Sequence, residues 1–470
     1  MVYRYEYVAG ALERAIAKGV FPVGARLPSL RDSCQRYTAS LATAIEAYAR
    51  LEERGLIEAR PKSGYFVRPP HKPRGMLAMS RPRPRVADVS VSRLAIDVLE
   101  APRGPRLLPL GAGFPTAATL PLLELSRCYA RAARLHVGAM SACEQRAGTK
   151  LLRETVARQL MEIGCAVSAD EIVITNGAQE AMVLALRAVT SPNDVVAVES
   201  PSYFGILQTL EALSLRAFEL PTHPTRGVDL GALEDAAGKG LLRACVLMPT
   251  FQNPLGFRMH DADKRQAVEI LARHGVTLIE DDVFGALGCE TPRPVAAKSF
   301  DAAGTVILCS SFSKTVSPAL RIGWLAPGRY LEEVLRQKFL LNVSTATIPQ
   351  LALADFCRGN RFRRATQAAA RIYARRRHTM REAVLDSFPE GTACSTPMGG
   401  YYLWVELPRG YDSMTLYREA LSHRITLSPG RLFAPMRGNL NHLRLSCAAL
   451  DGNQLTSAVS RLGELAKALV

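Results

Sequence analysis

The stretch CSSFSKTVSPALRIGW, residues 309–324, carries one lysine among several hydroxyls and lies between apolar runs. The run before it, Val306 to Cys309, predicts a buried strand. A lysine amine is a potent nucleophile only when it is deprotonated, and burial lowers its pKa. Hydroxyl groups and the guanidinium of Arg321 suit a phosphate group anchored nearby. A lysine beside a phosphate site favours a Schiff base between Lys314 and pyridoxal phosphate.

The composition is that of a globular protein with a strong positive charge. A chain of 470 residues with 48% hydrophobic residues predicts two or three domains and a large core. The net charge of +16 favours nucleic acid as a partner, although an arginine-rich composition alone would give the same excess. The ten cysteines form no C-x-x-C pair, so they indicate neither a zinc site nor a disulfide framework. With no apolar signal core and no run of transmembrane length, the sequence predicts a cytoplasmic protein without a membrane partner.

The first 68 residues have the pattern of a small DNA-binding domain. Apolar periodicity and capping residues predict three helices, over residues 5–18, 29–37 and 40–55. Ser29 can cap the second of them, and Asp32 three residues later completes a capping-box-like pair. Two short strands follow, residues 56–59 and 65–67, with a basic turn between them. Three helices and a basic hairpin predict a winged helix-turn-helix whose third helix enters the major groove. The apolar face of that third helix is predicted to consist of Leu41, Ala44, Ile45, Tyr48 and Leu51.

This domain resembles the GntR family of bacterial regulators over its whole length. The resemblance rests on LPSLR (27–31), EERGLIEARP (52–61) and SGYFV (63–67). Many family members have arginine where this chain has Leu41 and Glu46, and phosphates would repel Glu46. The resemblance implies binding to a double-stranded DNA operator through the positions that match the family's DNA contacts, which are Arg31, Ser40, Thr43, Arg60, Lys62 and Gly64.

Residues 69–106 read as a basic, proline-rich linker. The segments PPHKPRG (69–75) and RPRPR (81–85) are typical of extended, semi-rigid chain, apart from a possible short helix at residues 94–99. A long tether allows one domain to lie on a different subunit. The arginines either add salt-sensitive attraction to DNA or serve solubility alone.

Residues 107–470 predict an α/β domain with a mainly parallel sheet, because strands and amphipathic helices alternate. From about residue 345 the chain becomes helix-rich and then supplies two strands, 400–406 and 443–447, which predicts a small α+β lobe. The predicted strands of the large lobe are residues 172–175, 195–199, 244–248, 277–280, 306–309 and 322–325.

Polar groups follow several of these strands, where open α/β sheets place ligands. The sequence TNGAQ (175–179) ends a strand and opens a helix, so its amides suit a phosphate. Tyr203 could stack on a flat ring, and Asn253 supplies an amide in a tight turn. A buried carboxylate such as Asp281 would keep a pyridine nitrogen protonated.

In this order, the segments from about Leu110 onward resemble the fold-type-I, pyridoxal-phosphate-dependent aminotransferases. The resemblance implies that Lys314 forms the internal aldimine and that Asp281 pairs with the pyridine nitrogen. Asn253 would bond the ring's phenolic oxygen, and Tyr203 would stack on the ring. Arg444 would bind a substrate carboxylate. The residues that would hold the cofactor phosphate are Gly177, Ala178, Ser311, Ser313 and Arg321, and Gln179 is a further cofactor-binding residue.

Two departures from the aminotransferase pattern fall close to the chemistry. Phe284 stands where the family usually has a tyrosine that bonds the ring oxygen. Cys143 stands where many relatives have a tyrosine that reaches the neighbouring subunit's phosphate. We therefore expect a site kept for binding more than for turnover.

A GntR-like domain fused to an aminotransferase-like domain resembles the MocR-type bacterial regulators. The resemblance implies a cytoplasmic, nucleoid-associated homodimer whose DNA-binding domains are exchanged across subunits. Its effector would be an amino acid or amine that exchanges with Lys314 at the aldimine. Two alternatives stay open, a working aminotransferase with a vestigial DNA-binding domain and a regulator that senses pyridoxal phosphate itself.

Overall fold

The computed structural model describes residues 4–17, 19–22, 24–53, 56–60, 63–67, 75–100, 107–141, 146–290 and 292–469. The chain divides into two compact units, Met1–Arg74 (unit 1) and Gly75–Val470 (unit 2). Within the described ranges, no helix is both long enough and apolar enough to cross a membrane.

Unit 1 has the predicted three helices followed by an antiparallel hairpin. Its elements are α1 (Arg4–Ala17), α2 (Leu30–Tyr37), α3 (Leu41–Glu53), β1 (Ile57–Arg60) and β2 (Gly64–Val67). The small core that joins them is built from buried side chains of α1, α3 and the hairpin, chiefly Val8, Leu12, Tyr48, Leu51 and Val67.

Hydrogen bonds stabilise the corner between α2 and α3, and the sequence predicts some of them. Ser29 caps α2 in a capping box with Asp32, as predicted from their spacing. The buried hydroxyl of Tyr48 on α3 donates to the carbonyl of Pro28 at 2.7 Å and lies 2.7 Å from the Ser33 hydroxyl on α2. The pair of helices that forms the helix-turn-helix is therefore held by buried polar bonds as well as by apolar packing.

The predicted apolar face of α3 was wrong at two of its five positions. Leu41 is 53% exposed and Ile45 is 48% exposed. The core instead takes Ala47, which lies between the buried Ala44 and Leu51 on the helix surface. Leu41 and Ile45, one turn apart, thus form an exposed apolar strip on the helix that is predicted to enter the major groove.

Unit 2 is built on a nine-stranded, mainly parallel sheet with helices around it. The strand order is β3-β7-β6-β9-β10-β11-β12-β5, and β8 pairs with β7 at the side. Strands β7, β6, β9, β10 and β11 run parallel, whereas β12 is antiparallel to both of its neighbours. The bounds of the strands of this sheet are β3 (Val86–Ala87), β5 (Val173–Thr175), β6 (Val195–Ser200), β7 (Arg216–His223), β8 (Gly227–Val228), β9 (Ala244–Leu247), β10 (Thr277–Asp281), β11 (Val306–Ser311) and β12 (Gly323–Ala326).

The small lobe follows with its own antiparallel sheet, in the order β13-β14-β17-β16. A separate parallel pair, β4 with β15, ties the beginning of the aminotransferase-like region to this lobe. The remaining strands are β4 (Leu108–Pro109), β13 (Ala393–Cys394), β14 (Tyr402–Glu406), β15 (Ile425–Thr426), β16 (Ser428–Pro429) and β17 (His442–Ser446). The helices of unit 2 are α4 (Ser92–Leu99), α5 (Leu122–Leu135), α6 (Lys150–Met161), α7 (Ala178–Val189), α8 (Phe204–Ala212), α9 (Leu230–Gly238), α10 (Asp261–Arg273), α11 (Leu331–Asn342), α12 (Thr347–Cys357), α13 (Arg361–Ser387), α14 (Ser413–Ser422) and α15 (Gly452–Lys467).

Residues 75–100 differ from the extended linker that the proline-rich sequence predicts. The backbone of Ser80 and its hydroxyl bond Thr222, and β3 pairs antiparallel with β7 at the sheet edge. Helix α4 follows, close to the predicted short helix, and its first amides are capped by the carboxylate of Glu211. Main-chain bonding and packing therefore make these residues part of unit 2, while 69–74 and 101–106 lie outside the described residues.

Candidate functional site

The candidate site in unit 2 lies at the carboxyl ends of the parallel strands. Gly177 follows β5, Tyr203 follows β6, Asn253 lies in the turn after β9, and Asp281 is the last residue of β10. Lys314 follows β11 by three residues. Because parallel strands end at the same edge of a sheet, polar side chains that are far apart in sequence converge there.

The Lys314 amine is held by the segment that follows β4. Its Nζ donates to the carbonyl oxygen of Gly113 at 2.6 Å and lies 3.9 Å from the centre of the Phe114 ring. Burial, followed by the positive charges of Arg444 and Arg321, lowers the pKa of Lys314 to about 7. A large fraction of this amine is therefore neutral, and thus nucleophilic, near neutral pH.

Asp281 is a buried carboxyl group with a single described donor, the backbone amide of Val283 at 3.2 Å from Oδ1. Burial raises the pKa of Asp281 to about 7, against the effect of that amide and of Lys314. A cationic group placed against Asp281 would lower its pKa and would be stabilised in turn.

A donor-rich cradle, formed by Gly177, Ala178, Ser311, Ser313 and Arg321, lies between β11, β12 and the start of α7. A Cβ atom on Gly177, which has φ 85°, would lie 2.6 Å from Nη2 of Arg321, so glycine is required for this approach. Ala178 opens α7, so its amide is among the unpaired donors of the helix N-terminus. The Ser311 hydroxyl lies 2.8 Å from the Ser313 hydroxyl. Amides, hydroxyls and a guanidinium close together are the donor set of a phosphate site.

Gln179 contributes differently from the other predicted cofactor-binding residues. Its side-chain amide donates to the carbonyl of Gly205 at 3.1 Å and to the hydroxyl of Thr209 at 2.7 Å. These bonds link α7 to α8, while the main-chain amide of Gln179 is in the first turn of α7 and is available for a ligand.

Arg444 lies fully inside the site on β17 of the small lobe. One guanidinium nitrogen donates to the Asn253 side-chain oxygen at 3.0 Å and another to the Ser428 hydroxyl at 3.1 Å. Its guanidinium carbon lies 4.0 Å from the centre of the Tyr402 ring, and its buried Nε has no partner among the described residues. A buried guanidinium with an unpaired donor is suited to a carboxylate ligand.

Tyr203 lies at the N-terminus of α8 with its ring directed over Gly205. A Cβ atom on Gly205 would lie 2.5 Å from that ring, so the glycine makes room for it. The ring also packs against Phe204 with centroids 4.8 Å apart. The position agrees with a ring that supports a flat ligand.

Phe284 occupies an aromatic cluster and offers no hydroxyl. It packs edge-on against Tyr401 and Tyr402, at centroid distances of 5.3 Å and 5.5 Å. Both tyrosine hydroxyls donate to the Gly113 carbonyl, at 3.1 Å and 3.3 Å, which is the same oxygen that receives Lys314. Sequence reasoning missed Gly113, Tyr401 and Tyr402, and the adjacent tyrosines at the predicted strand 400–406 were the available signal.

The predicted DNA-binding positions of unit 1 lie at α2, α3 and the hairpin. Arg31 is exposed on α2. Ser40 caps α3, and its hydroxyl lies 2.8 Å from that of Thr43, so these two predicted positions bond one another. Arg60 pairs with Glu58 at 2.7 Å and stacks on Phe66. Gly64 has φ 102° at the start of β2, whereas Lys62, like Cys143 of unit 2, lies outside the described residues.

The residues of unit 2 fit pyridoxal phosphate on the chemistry of their donors. The donors around Gly177 would hold a dianionic phosphate, and Asp281 has an oxygen without a described partner for a protonated ring nitrogen. Tyr203 would support the ring, Asn253 would offer its side-chain amide, and Lys314 would supply a neutral amine. The set therefore matches the cofactor that the sequence predicts.

Comparison with known proteins gives a family match for each of the two units. The family model described as aminotransferase class I and II matches residues 107–462, and the model for the gntR family of bacterial regulatory proteins matches residues 4–67. The chain is 35% identical over 466 residues to the HTH-type transcriptional regulator YjiR and 38% identical over 469 residues to YdcR, both of Escherichia coli, with 98% of every chain covered. The crystal structure of LysN, the alpha-aminoadipate aminotransferase of Thermus thermophilus complexed with N-(5'-phosphopyridoxyl)-L-leucine, is 28% identical, with a TM-score of 0.74 over 82% of this chain and 97% of that one.

Proposed function

We propose, from the premise that this chain belongs to the aminotransferase class I and II family and carries a gntR-family domain, that it is a transcription regulator of the MocR type. It binds an operator in duplex DNA through unit 1 and pyridoxal phosphate through unit 2. The observation that carries the proposal is the single chain that joins a winged helix-turn-helix to a buried lysine of low pKa beside an anion cradle.

The residues of unit 2 divide the work of binding. Arg321, Ser311 and Ser313 hold the phosphate, Asp281 holds the ring nitrogen, and Tyr203 supports the ring. When bound, the cofactor supplies an aldehyde carbon that bonds reversibly to a primary amine. The low pKa of Lys314 keeps that residue's amine neutral for this bond.

The effector that we propose is an amino acid or an amine. Arg444 is placed to take the carboxylate of an amino acid, because it lies buried with Nε unpaired beside Asn253 and Tyr402. The effector's amine would compete with the amine of Lys314 for the cofactor's aldehyde carbon, which would release Lys314 from the cofactor. A ligand of this kind shifts the protein between two states only through its different affinity for them.

We also propose that the regulator is a homodimer whose DNA-binding units are exchanged across subunits. Support comes from α11 and the residue after it, where Phe339, Leu340, Leu341 and Val343 are 44–65% exposed. A run of exposed apolar side chains of this kind marks a contact surface.

The test combines an absorbance spectrum with operator binding. The wild-type protein should take up pyridoxal phosphate and show an absorbance band that borohydride reduction fixes covalently, and Lys314→Ala should lose it. Lys150→Ala, which removes a lysine with a 77% exposed side chain, is the matched control and should retain the band. A colourless wild-type protein in excess cofactor, or one that binds no duplex from its own promoter region at low salt, would contradict the proposal.

A working aminotransferase is the second candidate, favoured by the retention of Lys314, Asp281, Asn253 and Arg444 in one site. Steady turnover of several amino acids with a keto acid, without duplex binding at moderate salt, would favour this candidate. A change in operator binding on adding pyridoxal phosphate alone would instead favour a sensor of the cofactor itself.

A further inference from the structure

A crevice lies in unit 2, away from Lys314 and the cradle. Its volume is about 550 Å³, and one wall is the segment 77–87. The opposite walls are the ends of β6 and β7 and the segment 434–442. None of the proposed cofactor-binding residues lines it, so it is a separate cavity of a size that holds a small molecule.

Four guanidinium groups line this crevice, those of Arg81, Arg83, Arg85 and Arg437. None of the four forms an ion pair within 4.0 Å in the part of the chain that the structure describes, and all are exposed. Guanidinium groups gathered in one concavity repel one another unless an anion lies between them. Two carboxyl groups, those of Glu219 and Glu406, also line the crevice, and four guanidinium groups outnumber them. The excess of positive groups favours an added carboxylate or phosphate.

The facing wall adds groups that an organic ligand can use. The ring of His442 stacks on Trp404 at 5.4 Å with an angle of 22°, and its buried Nδ1 has no hydrogen-bond partner among the described residues. Glu219 uses one oxygen for the Ser200 hydroxyl at 2.8 Å. An unpaired buried ring nitrogen beside the cavity is a cost that a polar ligand group or an ordered water would remove.

We propose that this crevice binds a small organic anion, a carboxylate or a phosphate ester, at a site distinct from the pyridoxal phosphate site. The arginines take the anionic group, while His442 and Glu219 are available to its polar remainder. Because Ser80 and β3 attach the arginine-bearing segment to Thr222 and β7, ligand binding would stabilise the attachment of residues 77–87 to the sheet.

The chain offers a direct reporter, because its two tryptophans are Trp324 and Trp404 and only Trp404 lines the crevice. In a Trp324→Phe background, loaded with pyridoxal phosphate so that the cradle is occupied, Trp404 emission is followed while inorganic phosphate or succinate is added. We expect a saturable change with at least one of them, and sodium chloride at equal ionic strength should not reproduce it. The two titrations separate a phosphate ligand from a carboxylate ligand.

The variant pair Arg81→Ala/Arg83→Ala should weaken that binding by about tenfold or more. The pair Arg418→Ala/Arg461→Ala removes the same charge from exposed arginines elsewhere in unit 2 and should leave the affinity within about twofold. The proposal is overturned if neither anion gives a saturable change, or if both pairs weaken it equally. It is also overturned if Arg81→Ala/Arg83→Ala reduces only the affinity for nonspecific duplex DNA, because the arginines would then bind the phosphates of the nucleic-acid backbone.

Discussion

At the scale of single residues, the site depends on how the surroundings of Lys314 set its pKa. Burial is the main cause of the low value, and Arg444 and Arg321 add to it, while Asp281 opposes it. The hydroxyls beside Lys314 in the sequence predicted a phosphate site, but they did not indicate the nearby charges of Arg444 and Asp281. Arg444 lies 130 residues away on another lobe, so no local pattern could reveal its effect.

The rate at which pyridoxal phosphate attaches should rise with pH and reach half its maximum near pH 7, because only the neutral amine reacts. Replacing Arg444 with glutamine removes a nearby positive charge, so the pKa of Lys314 should rise by up to about one unit and the half-rise should move to higher pH. Stopped-flow absorbance over a pH series measures this shift, with Arg418→Gln as control. A half-rise that is unmoved or moved to lower pH would contradict this account.

The charge of Glu46 should affect the affinity of unit 1 for duplex DNA. Glu46 is exposed on α3, and its one ion pair among the described residues is a surface pair with Arg50 at 3.7 Å. Glu46→Gln should tighten duplex binding by about two- to fivefold at low salt, because one repulsion with backbone phosphates is removed, and the gain should shrink as salt rises. Fluorescence anisotropy at two salt concentrations tests this, and Glu390→Gln in unit 2 should have no effect.

At the scale of elements, buried strands and capped helices were predictable from the sequence. Strands that mix polar and apolar residues without clear alternation were not. The strand preceding Lys314 and the helix capped by Ser29 were predicted because an apolar run and a capping box are local signals. Strand β7, residues RAFELPTH, was missed because its polar side chains and proline hide the alternation of buried positions. The docking of residues 75–100 was missed because it depends on Thr222 and Glu211, which are far away in sequence.

The α2–α3 corner should weaken when the Tyr48 hydroxyl is removed. Tyr48→Phe leaves the buried Ser33 hydroxyl and the Pro28 carbonyl without this partner, which should cost about 1–3 kcal/mol of the free energy of unfolding of unit 1. Calorimetry of the full chain should show the loss in one transition, with the other unchanged. Tyr7→Phe, which removes the hydroxyl of a 60% exposed tyrosine, is the matched control. Equal stability of the two variants would show that the corner does not depend on these bonds.

At the scale of the whole molecule, the exposed apolar run 339–343 is the feature that a monomer would not need. Leu340 is 65% exposed, so Leu340→Asp should fold normally yet shift the protein from dimer to monomer at micromolar concentration, because an interface cannot bury an unpaired carboxylate cheaply. Sedimentation velocity measures the change. Leu241→Asp, at a leucine that is 41% exposed elsewhere on unit 2, should leave the mass unchanged, and a wild-type protein that sediments as a monomer would contradict the prediction.

The carbonyl of Gly113 affects the free energy needed to move the Lys314 side chain away from it. Lys314, Tyr401 and Tyr402 all direct donors at this one oxygen, although a carbonyl has only two lone pairs. When the Lys314 amine leaves this oxygen to bond the cofactor, both phenols still donate to the carbonyl, so the buried acceptor keeps its hydrogen bonds. Sharing this acceptor among three donors thus lowers the free-energy cost of withdrawing the lysine side chain from it.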